Sequence, residues 1–353
     1  MLFRSYMKMN LSHPYKDNIS LSFGQFTQVV GQDQQLKYYI WQILLWYFGG
    51  KKYNKKDLVL FEQNEPKISI DNTVVSRSEF SVIQISNIND LIEQMEYKKG
   101  TVAYHYIKQK INSIEMMELI ENINDNLDRI SLLLNQKLNL QIDDIVYHTE
   151  AKYFNTDQLI QKNFLPYFGQ NDKNISFEFV DNKTKFLLFL SMLEAMLMNS
   201  DEKVLLVLRN MDDYLSYNEF VKCCEKMEFL TNHSNSLYIV SFPSNEGYLH
   251  VTKKMLEEIN IVSDYVDHFY SLDFMYGRFT NQYPINQIPD EQEFLTSLRK
   301  VGPYLFSSDI FHMSLSIEDQ VALKILNKLY QYEMKTKFRI ESVNPMLLKY
   351  LAE

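Results

Sequence analysis

The stretch from Leu21 to Gly50, LSFGQFTQVVGQDQQLKYYIWQILLWYFGG, limits the fold more than any other part of the chain. Apolar and β-branched residues between Ile19 and Val30 predict two short strands, and Gln34 to Phe48 then carries apolar residues on every side at helical spacing. A helix that is apolar all round cannot lie on a surface, so it must be central, with the strands packed beside it. Gly49-Gly50 is its stop.

The loop inside this stretch carries half of a phosphate-binding motif. G-x-x-x-x-G-K-[ST] works because backbone N–H groups cradle phosphates, the lysine reaches the outer phosphates and the hydroxyl holds magnesium. Gly31 and Lys37 stand at the right spacing. Leu36 stands where the second glycine would let the backbone approach, and Tyr38 where the hydroxyl belongs. The pattern fits either a phosphate loop that has lost its chemistry or a strand-turn-helix with a chance Gly and Lys.

Only 9 Gly and 8 Pro in 353 residues leave little room for an all-β meander or a flexible linker, so helix should dominate. The length allows two or three domains around a large core. Cys223 and Cys224 are adjacent, which excludes a disulfide framework and zinc-ligand spacing, and a reducing cytoplasm fits best. The longest apolar run, Phe186 to Met198, contains Ser191 and Glu194 and is too short for a bilayer, while the N-terminus lacks the apolar core of a secretion signal. No membrane partner is expected. The net charge of −9 argues, as a sum, against nucleic acid, but only the local field around gathered lysines matters to a bound duplex.

Further along, KKYNKK places Lys51, Lys52, Lys55 and Lys56 together, ahead of strand-like Leu58 to Phe61 and Phe80 to Ile85. This basic cluster is either a solvated loop or a binding surface. From Thr101 to Leu140, apolar residues at steps of three and four predict one long amphipathic helix, a leg with Asn155 to Phe164 returning against it. Ile175, Phe177 and Phe179 alternate as an edge strand, Lys183 to Met198 reads as helix, and Lys203 to Leu208 as a buried parallel strand.

At the end of that strand, where an ABC-type ATPase has Asp-Glu to hold magnesium and activate water, stand Arg209 and Asn210, and neither can act as a carboxylate. Asp212 and Asp213 come too late and read as a helix-capping turn. The strand Ser236 to Phe242 ends in Ser-Phe instead of a histidine, and the helix of Lys183 to Met198 has no signature glycine. Losses at every station point to a nucleotide-hydrolase scaffold kept for its shape. The expected class is α/β: a degenerate P-loop, ABC-ATPase-like head at 1–97 and 170–275, an α-helical leg at 98–169, and a helical C-terminal extension at 276–353. Two amphipathic helices, Glu291 to Lys300 and Ile317 to Tyr332, are expected in the extension, packed on the chain's own head or against a neighbour.

SFGQFTQVVGQDQQLKYY, the inserted leg and the return through KVLLVL and SLYIVSF together resemble the adaptation accessory protein of type II-A CRISPR systems, in its long form with a C-terminal extension. The resemblance implies a non-catalytic homotetrameric ring that binds double-stranded DNA, especially free ends, through a lysine-lined channel. It also implies a role in spacer acquisition and antiviral defence beside the spacer integrase and the RNA-guided effector nuclease. It requires no ATP. Calcium near the junction of leg and head is implied by the family, with Asp143, Asp144 and Glu150 as the candidate ligands here.

In a four-fold ring every lysine is presented four times, so the resemblance turns the basic clusters into DNA-binding candidates. Lys51, Lys52, Lys55 and Lys56 come first, then Lys98, Lys99, Lys108 and Lys110 at the root of the leg. Lys253, Lys254, Lys335, Lys337 and Arg339 are further candidates. Contacts should fall on phosphates rather than base edges, because spaced lysines act as point charges. The rival reading, an active P-loop nucleotide hydrolase with a variant site, rests on Gly31 and Lys37 alone. A purely structural adaptor is a third.

Overall fold

A computed structural model describes residues 6–16, 19–62, 64–138, 140–170, 173–198, 200–244, 247–308, 315–333 and 345–352. In chain order the elements begin with strands β1 (Met7–Leu11), β2 (Ile19–Phe23) and β3 (Phe26–Val30) and helices α1 (Gln34–Phe48) and α2 (Lys55–Leu58). Strands β4 (Ile68–Ile70), β5 (Thr73–Val74) and β6 (Ser81–Ile85) follow, then helices α3 (Ile88–Gln94), α4 (Val102–Ile111) and α5 (Ile114–Leu138). After the hairpin β7 (Gln141–Ile142) and β8 (Ile145–Val146) come α6 (Thr156–Asn163), β9 (Phe168–Gln170), β10 (Lys173–Ile175) and α7 (Asn182–Leu197). The chain closes through β11 (Val204–Arg209), α8 (Tyr217–His233), β12 (Leu237–Phe242), β13 (Ile259–Val262), β14 (Val266–His268), α9 (Leu272–Gln282), α10 (Glu291–Val301), α11 (Ile317–Leu329) and α12 (Pro345–Ala352).

Two compact units result: Met1–Ile88 with Asp201–Glu353, and Asn89–Ser200. In the first, six strands among the described residues form one sheet in the order β14-β13-β3-β12-β11-β6, with β14 antiparallel and the others parallel. Val204 to Leu208 are all buried, which is why this strand reads as an unbroken apolar run: a parallel strand covered on both faces has no polar side to show. The α1 residues Leu36, Ile40, Ile43 and Leu44 join Val29, Val207 and Val240 in one core, as its apolar circumference requires. A second, antiparallel sheet runs β2-β1-β4-β5.

The C-terminal helices are not a separate domain. Phe279, Phe294, Leu298, Val321, Ile325 and Leu326 bury into one cluster with Val30, Ile259 and Ile261 of the parallel sheet, so the expected boundary at residue 276 disappears. The expected head segment 170–200 also belongs elsewhere, because α7 packs on α4 in the helical unit.

The predicted single helix from Thr101 to Leu140 is two. The first ends at Asn112 and Ser113 starts the second, its hydroxyl accepting from the Met116 N–H at 3.3 Å. The 25 residues of α5 span about 37 Å. Residues 149–154 run back along α5: Asn124 Oδ1 accepts from the Phe154 N–H at 2.8 Å, and Asn135 donates to the Thr149 carbonyl at 2.8 Å. Then α6 packs its Ile160 against Tyr104 and Ile111 of α4. Two further strand expectations fail. Leu58 to Phe61 continues α2 into a 3-10 turn, set by the Asn54–Asp57 capping box, and Phe177 to Phe179 is a 3-10 turn after the β9–β10 hairpin. No helix among the described residues is long and apolar enough to cross a membrane.

Candidate functional site

Parallel sheets take ligands beyond the carboxyl ends of their strands, and there β3 turns through Gly31 into α1. Gly31 has φ +121°, where an L side chain is strained, and an added Cβ would stand under 3.0 Å from the Val262 carbonyl. The loop's donors are engaged inside the chain. Asp33 N–H reaches the Val262 carbonyl at 3.1 Å, Gln32 N–H reaches Ser263 Oγ at 3.1 Å, and Gln32 Nε2 reaches the Pro303 carbonyl at 2.9 Å. Asp33 caps α1, accepting from the Leu36 N–H at 2.9 Å, so a carboxylate stands at the helix end where a phosphate would bind.

Lys37 is only 6% exposed, and its ammonium donates to the carbonyls of Pro243 at 3.0 Å and Gly31 at 3.3 Å. It ties the loop to the end of β12 and does not reach outward. A buried ammonium needs such acceptors to offset its lost hydration. Leu36, buried beside it, fills the space a second glycine would leave.

The end of β11 beside the loop carries a cation of its own. Arg209, the last residue of β11, lies 4.9 Å from the ring centroid of Tyr38 and 4.9 Å from that of Trp41. Where a hydroxyl and a carboxylate would hold a cation, an aromatic pair holds one built into the chain. Asp212 is not the helix cap the spacing suggests. Its two oxygens accept from the Ser244 N–H at 3.0 Å and the Ser244 hydroxyl at 2.7 Å, clasping the ends of β11 and β12, while Ser216 and Glu219 form the capping box of α8.

The lysines divide by their partners. Lys51 sits 3.3 Å over the Trp46 ring, and Arg77 fastens its loop by donating to the carbonyls of Lys51 and Tyr47 and to Glu65. Lys52, Lys55 and Lys56 are exposed, and none has an ion-pair partner among the described residues. Lys98 is paired with Glu96 at 2.7 Å and Glu93 at 3.5 Å. Lys108 meets Asp157 at 2.8 Å, and the hydrogen bond from Lys108 holds that carboxyl below the usual carboxylate range. Lys99 and Lys110 are exposed, Lys110 over the Tyr106 ring at 5.6 Å. Lys253 pairs with Asp273 at 2.9 Å. Lys335, Lys337 and Arg339 lie outside the described residues.

Asp143, Asp144 and Glu150 are all exposed, the first two in the turn of the β7–β8 hairpin. Among the described residues no group of three or more His, Cys, Asp or Glu side chains could hold a metal ion. Cys223 and Cys224 are buried free thiols, and burial pushes Cys224 well up. Sequence reasoning missed Arg77, whose carbonyl acceptors lie 26 and 30 residues away, beyond any local pattern. It singled out Tyr38 and Arg209 as lost ligands but not as each other's partners.

Fold and site together define a mixed α/β protein. A strand-loop-helix at the carboxyl edge of a parallel sheet is closed by the chain's own groups, and a helical unit is inserted between β6 and β11. Residues 11–352 match the family described as CRISPR-associated protein Csn2, subfamily St, and the chain belongs to that family. The crystal structure of Stu0660 of Streptococcus thermophilus is 40% identical at a TM-score of 0.89, covering 98% of this chain and 100% of that one. An Smc head bound to the C-terminal winged-helix domain of ScpA is 13% identical at a TM-score of 0.42, over 73% of this chain and 94% of that one. Another Smc head, with an extended coiled coil and bound to the ScpA C-terminal domain from Pyrococcus furiosus, is 11% identical at 0.42, over 77% and 98%. No curated protein matches the chain.

Proposed function

We propose that the chain binds double-stranded DNA without reading its sequence, as a homotetrameric ring whose channel is lined by lysines, and that it serves CRISPR spacer acquisition beside the integrase and the RNA-guided nuclease. The observation that carries this reading is the group Lys52, Lys55 and Lys56. These lysines are exposed and without ion pairs among the described residues, in a chain with 45 acidic and 36 basic side chains. An acid-rich surface that leaves three neighbouring lysines uncompensated keeps a local positive field available to phosphates. Lys99 and Lys110 are the second group; Lys98 and Lys108 are already neutralised by carboxylates.

The head is a P-loop type that has lost its chemistry. Its support is the placement of the loop strand β3 between β12 and β13, with β11 one strand further out, together with the Gly31–Lys37 spacing. The absence of catalysis rests on the engagement of Lys37 and Asp33 inside the chain and on Arg209 standing where a carboxylate would be needed.

A closed ring loads on ends, so in a gel shift linear duplex should compete far better than covalently closed circles. Affinity should fall by orders of magnitude with a modest rise in salt if about six to ten phosphates are neutralised. Equal competition by circles, or no binding of linear duplex at low salt, would overturn the ring reading. Lys37→Met separates the hydrolase rival. The duplex shift should survive, no ATP turnover should be present in either protein, and stability should fall by about 1–3 kcal/mol because the Gly31 and Pro243 carbonyls lose their donor. Turnover in the parent protein that vanishes with Lys37→Met would establish the rival.

A further inference from the structure

We propose that Arg209, held over Tyr38 and Trp41 at the carboxyl edge of the parallel sheet, receives the terminal phosphate of a nucleic-acid strand. The proposal deepens the nucleic-acid-binding part of that reading and rests on it. A guanidinium has five N–H donors. Two arginines of the same unit spend theirs inside the chain: Arg77 on two carbonyls and Glu65, Arg299 on the Tyr217 hydroxyl. The Arg209 guanidinium has no hydrogen-bond or ion-pair acceptor among the described residues, and its Cζ lies 4.9 Å from the centroid of each ring. It is a cation placed in advance with its donors unspent.

The surroundings favour an oxyanion. Asp212, three residues on, has both oxygens engaged by Ser244, and the Asp33 carboxylate is occupied by the Leu36 N–H and by Lys16 at 3.6 Å. A terminal phosphate offers three free oxygens and about −1.5 to −2 charge, which suits bidentate pairing better than the single charge of an internal diester. Tyr38, 42% exposed, leaves ring surface beside the arginine on which the end base can stack. The loop's usual phosphate seat is closed, so the anion is received one step outward, at the old metal position.

The test compares blunt duplexes of one sequence with 5′-phosphate or 5′-hydroxyl ends. The parent protein should bind phosphorylated ends roughly 5–10-fold tighter, in the range of one charge-assisted hydrogen-bond pair. Arg209→Ala should abolish that ratio, and Arg209→Lys should keep part of it. A second readout needs no duplex. In a Trp46→Phe background, where Trp41 is the remaining tryptophan of the two, a 5′-phosphorylated dinucleotide should quench fluorescence, and Arg209→Ala should remove the response. Quenching without a duplex shift would sink the ring reading and keep this one. No quenching, or an end preference undiminished in Arg209→Ala, would overturn it.

Discussion

Replacing Lys52, Lys55 and Lys56 together by alanine is expected to abolish duplex binding at physiological salt while leaving the fold intact. All three are exposed and without ion pairs among the described residues, so their removal breaks no internal contact. Exposed substitutions of this kind change stability by about 0.5 kcal/mol or less. Binding is another matter. Each lost phosphate contact lowers the salt slope by about one, and in a ring presenting the group four times the loss in affinity should reach roughly 100-fold or more. Anisotropy titrations at several salt concentrations check both numbers. Lys98→Ala with Lys108→Ala is the matched control: both lysines already face carboxylates, and the effect should be several-fold at most. A triple variant that binds as the parent does, with an unchanged salt slope, would remove this cluster from the interface.

Gly31→Ala should be among the most damaging single substitutions in the head. It combines two costs: a backbone at φ +121° and a Cβ driven into the Val262 carbonyl, which as backbone cannot swing aside. Together these should cost about 3–5 kcal/mol, lowering the melting temperature by roughly 5–10 °C. Gly100→Ala isolates the first cost, since its φ is +95° but nothing lies within 4 Å of the added carbon, and about 1 kcal/mol is expected. Gly24→Ala meets the Glu258 carboxylate, which can move but would then release the Phe26 N–H it accepts at 2.9 Å, so it should fall between the two. Thermal unfolding of the three variants gives the order. A Gly31→Ala protein as stable as Gly100→Ala would mean that the loop is not closed on β13.

Much of this was legible in the chain. The α1 boundaries, the strands β2, β3, β11 and β12, and the helices α7, α10 and α11 follow from periodicity, because a buried helix or a doubly covered strand must be apolar at fixed intervals. The family resemblance was legible in the order of those elements. The predicted strand at Leu58 to Phe61 failed because the Asn54–Asp57 capping box starts a helix there, a local hydrogen bond outweighing a short apolar run. The long helix broke at Ser113 for the same kind of reason.

What the sequence determined by itself was local: which segments are helix or strand, and that the groups a working phosphate loop needs, a second glycine, a hydroxyl and two carboxylates, are not at Leu36, Tyr38, Arg209 and Asn210. Only the tertiary structure decided what stands in their place. Lys37 bonded to Pro243, Arg209 laid over Tyr38 and Trp41, Asp212 clasped to Ser244, and the C-terminal helices merged with the sheet all join residues more than 30 positions apart. The physical reason is that periodicity reports burial along one element. The partner of a buried charge or an unspent donor is chosen by whichever distant segment the sheet order brings alongside.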